Sequence, residues 1–93
     1  MPNVSLGSYN TLAVAAASGA YRLKPANGFS CTVDLMNAGA GAIYLRPDID
    51  PTVADPKSLL VPANTALNGF TIDGATGIGV IAGADTTISV RIR

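Results

Sequence analysis

Strong turn signals cut this chain into pieces of roughly 6–12 residues, and that spacing most constrains its fold. Pro25-Ala26-Asn27-Gly28, Asn37-Ala38-Gly39-Ala40-Gly41, Pro62-Ala63-Asn64 and Gly83-Ala84-Asp85 each combine residues that preset or tolerate turn dihedrals. Asp73-Gly74 is a hairpin signal. Between these turns no segment offers the ~10 residues of 3.6-period pattern that a helix needs. Val14 to Ala17 has helical composition, but Ser18-Gly19 ends it at once, and so short a run does not hold an isolated helix.

The pieces read as strands. Thr86, Ile88, Val90 and Ile92 alternate with Thr87, Ser89, Arg91 and Arg93. Phe29, Cys31, Val33 and Leu35 alternate with Ser30, Thr32, Asp34 and Met36, giving one apolar face. Ile43 and Leu45 oppose Tyr44, and Leu59-Leu60-Val61 is a brief strand. Leu67, Phe70 and Ile72 mark another, with a bulge or tight bend at Asn68-Gly69. Ile78, Val80 and Ile81 form a glycine-interrupted one. The fold class expected is all-β: a small antiparallel β-sandwich or jelly-roll-like barrel of about seven or eight short strands. Residues 1–10 read as an extended N-terminal arm and 11–93 as a single β-sandwich domain. Pro47 to Lys57, with three prolines and three aspartates, reads as a stiff surface loop.

Composition narrows the function. Charged residues are 13% of the chain, about half the ~25% usual for a soluble domain, and six basic side chains balance six acidic ones. Without net positive charge, nucleic-acid binding and docking on anionic lipid lose their main driver, so neither partner is expected. There is no histidine, which removes the commonest general base and metal ligand. The single cysteine, Cys31, excludes an internal disulfide and a zinc knuckle. Met1 is not followed by a basic region and a long apolar stretch, so no secretory signal is expected. The longest apolar run, Leu12 to Ala17, is far short of the ~20 residues that span a bilayer. A chain of this length buries only ~60–65% of its unfolded surface, so burial against neighbours would add to a marginal core.

Each candidate site has a plain alternative. Asp48, Asp50 and Asp55 offer hard oxygen ligands, but Pro51 follows Asp50 and the central glycine and terminal glutamate of a calcium loop are missing. Turn capping is the better reading. Cys31 has no histidine to activate it and reads as a small core residue. A carboxylate pair for glycoside hydrolysis lacks nearby aromatics. Gly74 to Gly79 lacks the lysine and following helix of a phosphate loop. No enzymatic activity and no cofactor are expected. Arg91 and Arg93 share the outward face of the last strand and either pair with acidic partner residues or solvate an edge strand. Tyr9, Tyr21 and Tyr44 are either interface anchors or lids on the core.

The order of signals from Val33 onward resembles a group of small bacteriophage virion proteins. The segments are LMNAGAG (35–41), AIYLRPD (42–48), LLVPANTAL (59–67) and GIGVIAGADTTISVRIR (77–93). They follow that group's Asn-x-Gly turn, Ile-Tyr strand, loop, Leu-x-Pro segment, glycine hairpin and final alternating strand. The likeness covers about two-thirds of the chain. It implies a β-sandwich or jelly-roll-like domain of a capsid decoration (cement) protein. Such a protein binds the major capsid protein on the outer surface of a phage head, as a homo-oligomer (dimer or trimer) that bridges neighbouring subunits and stabilises the capsid. The implied location is the virion, assembled in the host cytoplasm. The alternative is a tail or fibre adhesin module that binds a host receptor. Expected partner contacts are the arm residues Val4, Leu6 and Tyr9, the loop residues Asp48, Asp50 and Asp55, and Arg91 and Arg93.

Overall fold

The computed structural model describes residues 3–47, 51–53 and 56–93. Among them are nine strands: β1 (Asn3–Leu6), β2 (Tyr9–Val14), β3 (Tyr21–Pro25), β4 (Cys31–Asn37), β5 (Ile43–Arg46), β6 (Leu59–Val61), β7 (Thr65–Ile72), β8 (Ile78–Ala82) and β9 (Thr86–Ile92). They form two sheets, β1-β3-β8-β5-β6 and β2-β9-β4-β7. β1 pairs with β3 in parallel and every other pairing is antiparallel. The chain is therefore a two-sheet sandwich, of the all-β class expected, with nine short strands.

The core follows from the period-two patterns. Leu23, Ile43, Leu45, Val80 and Ala82 of the first sheet face Val33, Leu35, Ile72, Ile88 and Val90 of the second, and all are buried. Burying a Leu, Ile or Val contributes roughly 1.5–3 kcal/mol each, so this alternation is the main source of stability. Val14 to Ala17 splits at the strand end: Val14 closes β2, and Ala16–Ser18 make a short 3-10 turn. The Asp85 carboxylate accepts the Ala16 N–H and holds that turn's start.

Four expectations are corrected. First, residues 3–10 are not an arm. β1 is built into the first sheet beside β3, Leu6 is 2% exposed, and Val4 packs on the core. The radius of gyration, 11.6 Å, is that of a compact domain of this length, for which about 12 Å is usual. Second, Phe29 is 74% exposed. The Asn27 side chain accepts the Phe29 N–H, so Phe29 still belongs to the turn. β4 starts at Cys31, whose pairing with Ile72 is the last rung of the ladder with β7. Third, Asp73-Gly74 turns the chain but closes no hairpin, because β7 and β8 lie in different sheets. The Asp73 carboxylate accepts the N–H groups of Ala75 and Thr76, and its carbonyl accepts that of Gly77. This longer turn re-aims the chain across the sandwich. Fourth, β9 is not an edge strand but lies between β2 and β4.

The bend expected at Asn68-Gly69 is present as a bulge. Val33 opposes Phe70 and Asp34 opposes Asn68, which leaves Gly69 as the extra residue. Its φ of +71° needs a residue without Cβ, and its N–H donates to Asp34.

Candidate contact surface

The register of the second sheet puts three cross-strand rows on its outer face. One row runs Tyr9, Arg91, Asp34, Asn68; the next runs Thr11, Ser89, Met36, Ala66; the third starts Ala13, Thr87. Residues opposite each other on neighbouring strands share a face, so these side chains follow from the inward placement of Leu12, Val14, Ile88, Val90 and Leu35. The second and third rows are small or uncharged. Only the first carries charge.

That charge is satisfied within the chain. Asp34 Oδ2 lies 3.0 Å from Arg91 Nη2, and Asp34 Oδ1 lies 2.8 Å from Arg93 Nη2. Arg93 Nε and the Gly69 N–H also donate to Oδ1, each at 3.0 Å. The Arg93 and then the Arg91 hydrogen bonds hold the Asp34 carboxyl down at about 2, with Gly69 adding to them. The Arg93 guanidinium is pushed up by the same pairing. The unfolded chain, with the carboxyl near its ordinary ~3.9, takes up the proton first as pH falls. This contribution is therefore complete above about pH 5 and is lost progressively from there down to about pH 1, as pH falls through the folded-state value. Asp34→Asn should unfold at a lower midpoint than wild type at neutral pH. The gap between the two midpoints should narrow as pH is lowered from about 5 toward 2 in thermal melts across that range.

The expected contact residues separate into groups. Val4 is half-buried against the core, and Leu6 lies within it and is not available to a partner. Tyr9 is 65% exposed on the outer face. Arg91 and Arg93 are exposed, but both are held by Asp34 of their own chain. Asp48, Asp50 and Asp55 lie outside the described residues. Of the eight, the structure brings Tyr9 and Arg91 together, opposite each other across β2 and β9. With Asp34, Leu35, Met36, Asn68 and Ser89 they line a shallow concavity of about 160 Å³. Tyr21 packs against the core, and Cys31 sits half-buried at its margin with its thiol pushed up by burial.

Sequence reasoning missed three features. Asn37 is fully buried at the end of β4. Its Nδ2 donates to the carbonyls of Gly41, Val61 and Pro62 at 2.8, 3.1 and 3.2 Å, and its Oδ1 accepts from Thr86 Oγ1 at 2.6 Å. One amide thereby ties both sheets and the turn after β4. Gly39 lets this happen, because a Cβ there would strike Thr86 Oγ1 and lie 2.7 Å from the Thr87 nitrogen. The signal was the Asn-x-Gly turn itself, which marks a turn but not a buried amide. Second, Arg22 is nearly buried on the outer face of the first sheet, where its Nη1 donates to the carbonyls of Pro47 and Thr76. Third, Leu59 and Leu60 of β6 are each 51% exposed, and Val53 is 50% exposed. Comparison with protein-family models, curated proteins and solved structures returned no match.

Proposed function

We propose that this chain is a structural virion protein of the capsid-decoration kind, binding the outer surface of a phage head through contact rather than chemistry. The observation that carries the reading is the outer face of the second sheet. Thr11, Ala13, Met36, Ala66, Thr87 and Ser89 form an uncharged field, and the one carboxylate beside it, Asp34, is paired with Arg91 and Arg93 of its own chain. Interface centres are depleted in charge in this way. A neutral partner surface gives weak single contacts, and these suit a lattice, where many copies bound side by side raise the effective concentration. The sequence likeness to small phage virion proteins supports the same role.

The test is to add purified protein to heads of the phage that encodes it, prepared without it, and to count bound copies by electron microscopy. Regular occupancy at hundreds of positions per head is the expected result. Absence from heads, with a few copies on the tail, overturns it.

One observation favours the adhesin alternative. The concavity beside Tyr9 sets an exposed aromatic ring next to Asn68, Ser89 and Arg91, groups able to bond a hydroxylated ligand. Reproducible binding on a glycan array that Tyr9→Ala abolishes would establish that reading in place of decoration.

A further inference from the structure

Among the described residues β2 pairs with β9 alone, which leaves its other edge open. The Ser8 carbonyl accepts the Ile92 N–H at 3.0 Å, which fixes the alternation of the ladder. Asn10, Leu12 and Val14 direct their main-chain groups to β9, and the N–H and C=O groups of Tyr9, Thr11 and Ala13 point out from the open edge. All three residues are exposed, and none of the described residues covers them.

Sheet edges are normally guarded by brevity, proline, charge or a bulge. β6 is three residues long and Pro62 follows it. β7 carries the Gly69 bulge. β1 has four residues. β2 has six, with no proline, no charge and an unbroken register. It is the one unguarded edge among the described strands.

We infer that β2 pairs antiparallel with β2 of a second copy of this chain, about a twofold axis at Thr11. This register engages all the open groups. Tyr9 opposes Ala13 of the second copy, Thr11 opposes its own equivalent, and Ala13 opposes Tyr9 of the second copy, making six main-chain hydrogen bonds. It is self-complementary in size and charge as well. Each exposed tyrosine ring lies over an alanine, and the rows that meet at the axis (Thr11, Ser89, Met36, Ala66) carry no charge. Two six-residue strands and two tyrosine rings bury less than the ~1,200 Å² of a standard stable interface, so the dimer is weak and concentration-dependent. The inference gives a surface for the homo-oligomer that the sequence resemblance implies and does not depend on binding to heads.

Hydrogen exchange and sedimentation equilibrium on the intact chain test it. As protein concentration rises about a hundredfold through the dissociation constant, the amides of Tyr9, Thr11 and Ala13 should slow together. Those of Asn10, Leu12 and Val14 should not change. Thr11→Lys sets like charges opposite each other and should weaken the dimer at least about tenfold. Thr11→Pro removes the donor at the axis without breaking a bond to β9 and should do the same. Ala66→Lys, at the far side of the same face, should dimerise like wild type. Concentration-independent exchange at Tyr9, Thr11 and Ala13 overturns the inference, as does a Thr11→Lys variant that dimerises as wild type does. Loss of head binding alone affects neither readout.

Discussion

Asn37→Ala should lower the thermal unfolding midpoint by roughly 10–25 °C, the largest effect expected of any single polar substitution in this chain. The substitution removes three donated bonds and one accepted bond from a fully buried site. Each buried group left without a partner costs about 1–3 kcal/mol, and the four share one network, so a total near 3 kcal/mol is a conservative figure. Asn37→Asp separates the hydrogen-bond argument from shape. The introduced carboxylate has nearly the size of the amide but presents an acceptor to three carbonyl oxygens. Burial among acceptors raises the carboxyl's folded-state pKa above its unfolded value. The variant's deficit against wild type is therefore smallest at low pH and grows as pH rises through that value. Urea titrations of both variants and of wild type at about pH 3 and pH 7 check this; an Asn37→Asp deficit against wild type that is the same at the two pH values contradicts it.

Deleting residues 2–8 should abolish cooperative folding rather than free a domain from an arm. The deletion removes β1, its parallel pairing with β3, and the buried Leu6 side chain. It also removes the Leu6 carbonyl that accepts from Ala26, the Ser8 carbonyl that accepts from Ile92, and the Gly7 contacts of Asn10. Leu6→Ala alone is expected to cost about 2–5 kcal/mol. A domain of this size holds only about 5–14 kcal/mol in total, so losing the whole strand is comparable with its full stability. Circular dichroism and a urea melt of the truncated chain decide the matter. A cooperative transition at the wild-type midpoint would mean that β1 is dispensable.

Period-two alternation made β4, β5 and β9 legible in the sequence, because each has one buried face: Val33 and Leu35, Ile43 and Leu45, Ile88 and Val90. Asn68-Gly69 announced its bulge because only glycine suits the extra residue's φ. Sheet order was not legible. Asp73-Gly74 has the chemistry of a hairpin, yet its turn carries the chain to the other sheet, and no local signal distinguishes the two outcomes. The contact surface was legible only in part. Arg91 and Arg93 were visible as a pair on one face, but Asp34 comes from a strand more than fifty residues earlier. That pairing is a property of register, which is set by burial throughout the sheet. Leu6 was placed on a partner because an edge strand that pairs in parallel with β3 leaves no hairpin signature.

The order in which strands are made has a consequence for how the chain leaves the ribosome. Only β5 and β6 are neighbours both in sequence and in a sheet. Among the described strands β2 has a single partner, β9, which is synthesised about 70 residues later. During that interval Leu12 and Val14 have no sheet to join, and β4 can pair only with β7. The four-stranded layer closes in one step, when the ninth strand slots between two that are already waiting. Such delayed, long-range closure is slow and exposes unpaired strands to neighbours, so nascent copies spaced closely on one message are the population most prone to pair wrongly.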